Sequence, residues 1–168
     1  MPGDIGGVPT HPLIVHIPVV LVPLALIAAI AYFVVRPWQR PLAWIAGLLA
    51  GGGALGAVLA ASTGETLQGR LPGSAAIRHH AQLGESARLL AFIFFVVTAI
   101  LVVFEEVRLR HRGLDIEPSG RWSAVVAHRA TYPVIAALLA VSGVAAVAML
   151  VDAGHAGAKV TWEHRVQP

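Results

Sequence analysis

Eight histidines and no cysteines define the chemistry open to this 168-residue chain. Without a thiol there is no disulfide, no thiolate metal site and no cysteine nucleophile, so any metal or haem chemistry falls to imidazole. Two histidines stand five residues apart in THPLIVHIP, Thr10 to Pro18; His79 and His80 are adjacent in RHHAQLG; His155 opens HAGAKV. At about 100° per residue, His11 and His16 point about 140° apart on one helix and cannot easily grip one metal together, which predicts separate roles. Pro12 suits a first helical position and leaves His11 at the helix mouth. His16 lies about one turn deeper, where an unsatisfied imidazole is costly and normally faces the bundle interior, so it ranks first as a ligand.

The elements that must carry these residues are membrane helices. The chain is 57% hydrophobic and 12% charged, with mean hydropathy +0.74, outside the range of an ordinary soluble domain. Four apolar runs, Pro12 to Val35, Pro41 to Ala61, Ser86 to Phe104 and Ala130 to Val151, each match the roughly 20 residues that cross about 30 Å of hydrocarbon. The expected fold is all-α: one polytopic domain, an antiparallel bundle of four transmembrane helices, with a polar tail over 152–168. The linker RPWQR makes the first two spans a hairpin, with Trp38 and Trp44 at the water interface. Tyr132 and Pro133 suggest a similar anchor and a first-turn proline for the last span.

Four spans bring both termini to one side. Arg36, Arg40, Arg108, Arg110, Arg112, Arg121 and Arg129 fall on the opposite side, against Arg70, Arg78, Arg88, Lys159 and Arg165 on the terminal side. This bias, with a tail that holds Asp4 and no basic residue before the first span, puts the termini outside the cytoplasm of a bacterial inner membrane. No cleaved signal peptide is expected. The net charge of +3 is spread over both ends of the spans without a basic run, which argues against nucleic acid.

That topology gathers His11, His16, His79, His80 and His155 on the outer side; His164 lies there in the tail, and His111 and His128 lie on the inner side. Glu65, expected in the loop after the second span, and Glu85, spaced i, i+3 from Arg88 for an ion pair, accompany the outer group. The loop closes near Ser74, where a helix resumes, and HRGLDIEPSGRW, His111 to Trp122, reads as an inner loop. Below His80 a stripe of Gly84, Ala87 and Ala91 leaves room for either a packed helix or a flat cofactor. Gly47, Gly51, Gly52 and Gly56 form paired GxxxG spacings in the second span, a packing face that could also support a homodimer or hold a partner.

THPLIVHIP resembles the HPxxVHxP signature of a family of small bacterial four-helix membrane proteins, domain of unknown function 2231. The likeness runs on through TGE at Thr63 to Glu65, RHHAQLG at Arg78 to Gly84 and HAGAKV at His155 to Val160, covering about Pro9 to Val160. It implies a four-helix membrane domain with family histidines at His11, His16, His79 or His80, and His155. It implies no biochemical role. Ala156 stands where many members have glycine after the last histidine.

Two functions compete on the residues. One is a single b-type haem near the outer surface, or a transition metal (Fe, Cu or Zn), serving electron transfer or metal handling. His16 and His80 lead, with His11, His79 and His155 as further ligands or hydrogen-bond partners; the bare-metal version draws on His16, His80, His155, Glu65 and Glu85. The other is a cofactor-free accessory subunit of a membrane complex. A small transporter ranks last, because apart from Glu85 and Arg88 near the outer end of the third span no buried ionisable residue is expected at mid-membrane depth, where transport sites usually lie. No HExxH, GxSxG or P-loop is present, so no recognisable catalytic motif marks an enzyme.

Overall fold

The computed structural model describes residues 4–113 and 128–162. The chain is a four-helix membrane bundle, as the apolar runs predict. A two-residue antiparallel hairpin, β1 (Asp4–Ile5) and β2 (Val8–Pro9), precedes the helices. Gly6 and Gly7 turn it with φ of 58° and 81°, the paired positive values that a tight hairpin turn needs. The helices are α1 (Thr10–Ile14), α2 (His16–Val34), α3 (Gln39–Gln68), α4 (Ala75–Gly113) and α5 (Thr131–Trp162), with a short 3₁₀ turn over Arg36–Trp38. Most of the expected loop His111 to Trp122 lies outside the described residues, although α4 reaches Gly113; of the expected tail over 152–168, residues 152–162 belong to α5 and the rest, with His164, lies outside the described residues.

The helices run further than the apolar segments. At about 1.5 Å per residue, the 30 residues of α3 and 39 of α4 exceed the hydrocarbon core. Their polar ends therefore stand in the headgroup region. Thr63 to Glu65 consequently belong to α3 rather than to a loop, and the true connection is Gly69 to Ser74. The Ile77 amide donates to Ser74 Oγ at 3.1 Å, the side-chain cap expected at that position. The first span starts at Thr10, two residues before Pro12, and is interrupted at Val15. Pro18 lacks the amide that would bond the Ile14 carbonyl, so the helix breaks there and resumes.

Consecutive helices pack side by side and α2 closes against α5, leaving α2 and α4 diagonal. The interior is built from small residues. Val22, Ala25, Ala29 and Tyr32 of α2 are buried, while Val20, Ile27 and Ile30 face outward. On α4 one stripe runs Ala87, Ala91, Phe94, Thr98, Leu101 and Glu105, alternating spacings of four and three. Large aliphatic residues outside and alanine inside reflect a solvent of lipid, which offers leucine no less than the core does and leaves close packing to hold the helices.

The glycines of α3 are consumed by that packing. A Cβ at Gly47 would meet Val102, at Gly51 Phe95, at Gly52 Leu21 and at Gly56 Ile17. The four point to α2 and α4 of the same chain, so the face expected to support a homodimer is already covered from within. Ser142 and Gly143 play the same part on α5, where Gly143 lies beneath Leu26 and Phe94.

Candidate functional site

The diagonal helices carry polar residues at both ends of their buried stripes. His11, Pro18, Ala25 and Tyr32 repeat every seven residues on one side, and His80 and Glu105 terminate the stripe of α4 on the other. From His11 to Tyr32 is about 32 Å at 1.5 Å per residue, close to the hydrocarbon thickness. One polar meeting point therefore lies near each membrane boundary.

At the first, His11 and His80 face each other with ring centroids 6.1 Å apart and planes at 74°. Both are half-buried. The His11 Nδ1–H donates to the Ala60 carbonyl of α3 at 2.9 Å, and the His80 Nδ1–H donates to the Ala153 carbonyl of α5 at 3.0 Å. A carbonyl can only accept, so each bond fixes Nδ1 as the protonated nitrogen and leaves the lone pair of a neutral ring on Nε2. Four residues after each accepting carbonyl stands a glycine. A Cβ at Gly64 would lie 3.1 Å from His11 Cε1, and one at Gly157 would lie 2.9 Å from His80 Cε1. The two hairpins thus build the same half-site twice: a histidine at the head of the first helix, held by a carbonyl and seated on a glycine of the second. Thr63, buried beside His11, donates back to the Leu59 carbonyl at 2.9 Å and helps fill the floor.

The remaining candidates are distributed differently from expectation. His16 is exposed, and its Nδ1–H donates to the Pro12 carbonyl of its own chain segment at 2.7 Å. It does not face the bundle interior; the inward position belongs to His11, which shares the heptad register of Ala25 and Tyr32. His79 and His155 do not join the pair but border a separate cavity of about 310 Å³ with Asp152 and Lys159. Glu65 is exposed, and Glu85 forms the expected ion pair with Arg88 on the exposed side of α4. Among the described residues no three histidine or acidic side chains lie close enough to hold a metal ion. The set His16, His80, His155, Glu65 and Glu85 is therefore not assembled. Ala87 and Ala91 below His80 are packed in the core, whereas a Cβ at Gly84 would meet no atom within 4 Å.

The second meeting point was not expected. Tyr32 donates to Glu105 Oε2 at 2.7 Å, and Arg108 donates to Glu105 Oε1 at 3.1 Å and to Gln39 Oε1 at 2.6 Å. Gln39 in turn donates to Tyr132 Oη at 3.0 Å, so α2, α3, α4 and α5 are tied together by one network. Glu105 is 2% exposed. It stands one residue past the apolar run that ends at Phe104, so α4 carries a buried carboxylate near one membrane boundary that the hydropathy bounds left out. Nearby, Arg40 and Trp44 both donate to Glu106, at 2.9 and 2.8 Å. Tyr132 is more than an interface anchor, since its ring also packs edge-on against Phe33. His128 is exposed and accepts from the Ala130 amide at 3.2 Å, well removed from the histidine pair.

No curated protein and no solved structure matches this sequence. The family described as predicted membrane protein DUF2231 does, across residues 7–168, and among the described residues this chain has four helices long and apolar enough to span a bilayer. Nearly the whole chain is covered, and the protein belongs to that family.

Proposed function

We propose that the histidine end binds one b-type haem, with His11 and His80 as its two axial ligands, and that the protein transfers electrons. The observation that carries this reading is the pairing of two fixed imidazoles from diagonal helices. Two imidazoles that would hold one iron between them must stand a few ångströms apart, one on either side of it. The rings here are 6.1 Å apart. A second support is the hydrogen bond from each Nδ1–H to a backbone carbonyl, which orients a ligating imidazole and raises its basicity.

The donor set favours haem over a bare ion. Two imidazoles leave an isolated metal short of ligands, whereas a porphyrin supplies four nitrogens of its own and asks the protein only for axial ones. Haem iron with both axial positions filled by histidine carries single electrons; the protein's own part is to hold the rings, exclude water from the buried side and set the depth. The pair lies near one boundary of the membrane, which suits exchange with a partner at the surface. The basic residues Arg36, Arg40, Arg108, Arg110 and Arg129 at the opposite end support a bacterial inner-membrane orientation with the histidine end outside the cytoplasm.

Titrating the detergent-purified chain with haem, followed in the visible spectrum, tests the proposal. One equivalent bound per chain is expected, with a weaker affinity and an altered bound spectrum in His11→Ala and in His80→Ala, and no binding in the double variant. A protein that takes up no haem, or takes it up equally well in the double variant, leaves the paired histidines a structural fastening and the chain an accessory subunit.

A further inference from the structure

The cavity between the histidine ends of α4 and α5 is separate from the paired imidazoles yet adjoins them. His79 precedes His80 in the chain, and Ala156 precedes Gly157, the residue on which His80 rests. His79 stands on α4, while Asp152, His155 and Lys159 are spaced three and four residues apart on α5, which places them on one face. Leu83 contributes an apolar wall. The space of about 310 Å³ lies at the lower end of the range for small-molecule sites. Its polar lining residues are all exposed, and it lies just beyond the apolar run that ends at Val151.

We propose that this cleft binds the headgroup of an isoprenoid quinone. The cleft combines donors and acceptors in a way that suits both redox forms. The Lys159 ammonium and imidazole N–H groups can donate to the two carbonyl oxygens of a quinone; the Asp152 carboxylate and imidazole lone pairs can accept from the two hydroxyls of a quinol. One aspartate and one lysine leave the lining without net charge when the imidazoles are neutral, so an uncharged polar ring is favoured over a phosphate, which would meet Asp152. Groups on facing helices match a ring with oxygens on opposite sides. The exposed side lets a long apolar tail remain in lipid. Service as an electron donor or acceptor to the histidine pair rests on the haem reading, but occupancy of the cleft does not.

The test uses the full chain in phosphatidylcholine vesicles without added haem, titrated calorimetrically with a benzoquinone bearing one isoprene unit. Saturable binding at one per chain is expected. His79→Ala and His155→Ala should each weaken it by about tenfold, a loss of about 1.4 kcal/mol, and Asp152→Asn should weaken the quinol more than the quinone. Both histidines are exposed, so neither change threatens folding. Glu85→Gln, on the surface ion pair, should bind as the parent does. Uptake no greater than in protein-free vesicles overturns the proposal, as does undiminished affinity in the His79→Ala, His155→Ala double variant. Displacement of the quinone by phosphatidylglycerol also overturns it, in favour of a phospholipid headgroup. Because haem is absent, failure here is distinct from failure of the haem titration.

Discussion

Replacing Gly157 by alanine tests the histidine pair without removing a ligand. The new Cβ would stand 2.9 Å from His80 Cε1, 3.3 Å from Nδ1 and 3.5 Å from Nε2. To reach an ordinary carbon contact of about 3.5–4.0 Å the ring must retreat by about 0.6–1.1 Å. Its bond to the Ala153 carbonyl, now 3.0 Å, would be stretched to the edge of hydrogen-bonding range or beyond. Overpacking of this kind costs about 1–3 kcal/mol, and the weakened bond about 0.5–1.5 kcal/mol. Because moving the ring relieves the first cost by incurring the second, the two do not simply add. A net loss of about 2 kcal/mol, or roughly 30-fold in haem affinity, is the expected result. Gly64→Ala meets His11 at 3.1 Å, a milder conflict, and should lose about 1 kcal/mol, or roughly fivefold. Gly84→Ala meets nothing within 4 Å and serves as the control; it should leave affinity unchanged and gain up to about 1 kcal/mol in stability from helix propensity. Haem titration followed by absorbance gives the order, and circular dichroism melting in detergent separates affinity from unfolding. Equal affinities for Gly157→Ala, Gly64→Ala and the parent would refute the account of how the rings are held.

The opposite end makes its own predictions. Glu105→Ala leaves Arg108 and Tyr32 without their shared acceptor; since Arg108 is 17% exposed, a loss of about 3 kcal/mol is expected. Glu105→Gln, which still accepts from Tyr32, should lose about half as much. Thermal melting in detergent checks both, and neither should alter haem affinity by more than about twofold, because the network lies some 30 Å from the histidine pair. Gly56→Ala would place a Cβ 2.5 Å from Ile17 Cγ2 and 3.0 Å from Pro18 Cδ. That should destabilise the chain by about 2 kcal/mol despite alanine's better helix propensity, while leaving its elution in size-exclusion chromatography unchanged.

The fold was legible because hydrocarbon thickness demands long apolar runs, and four are plain in the sequence. Helix ends were less so: the run from Thr63 to Gln68 is polar and looks like a loop, yet the headgroup region accommodates a polar helix. Depth alone misassigned the first two histidines. His16 lies deeper in the sequence of the span, but the helix face decides, and the face was marked by residue size. Ala25, Ala29 and Tyr32 share the register of His11, while Ile30 shares that of His16 and is exposed. The stripe from Ala87 to Leu101 likewise points straight at Glu105, which a hydropathy boundary at Phe104 had set outside the span. The two carbonyl bonds that hold His11 and His80 were not legible, since they join residues 49 and 73 apart through the docking of backbones that only small residues allow.

The most direct test is the electron paramagnetic resonance spectrum of the ferric, haem-loaded protein at low temperature. Two imidazole ligands predict a low-spin signal that turns high-spin in His11→Ala and in His80→Ala and persists in His16→Ala. A parent protein that binds no haem, a high-spin parent, or a low-spin signal lost in His16→Ala and kept in His11→Ala would contradict the account.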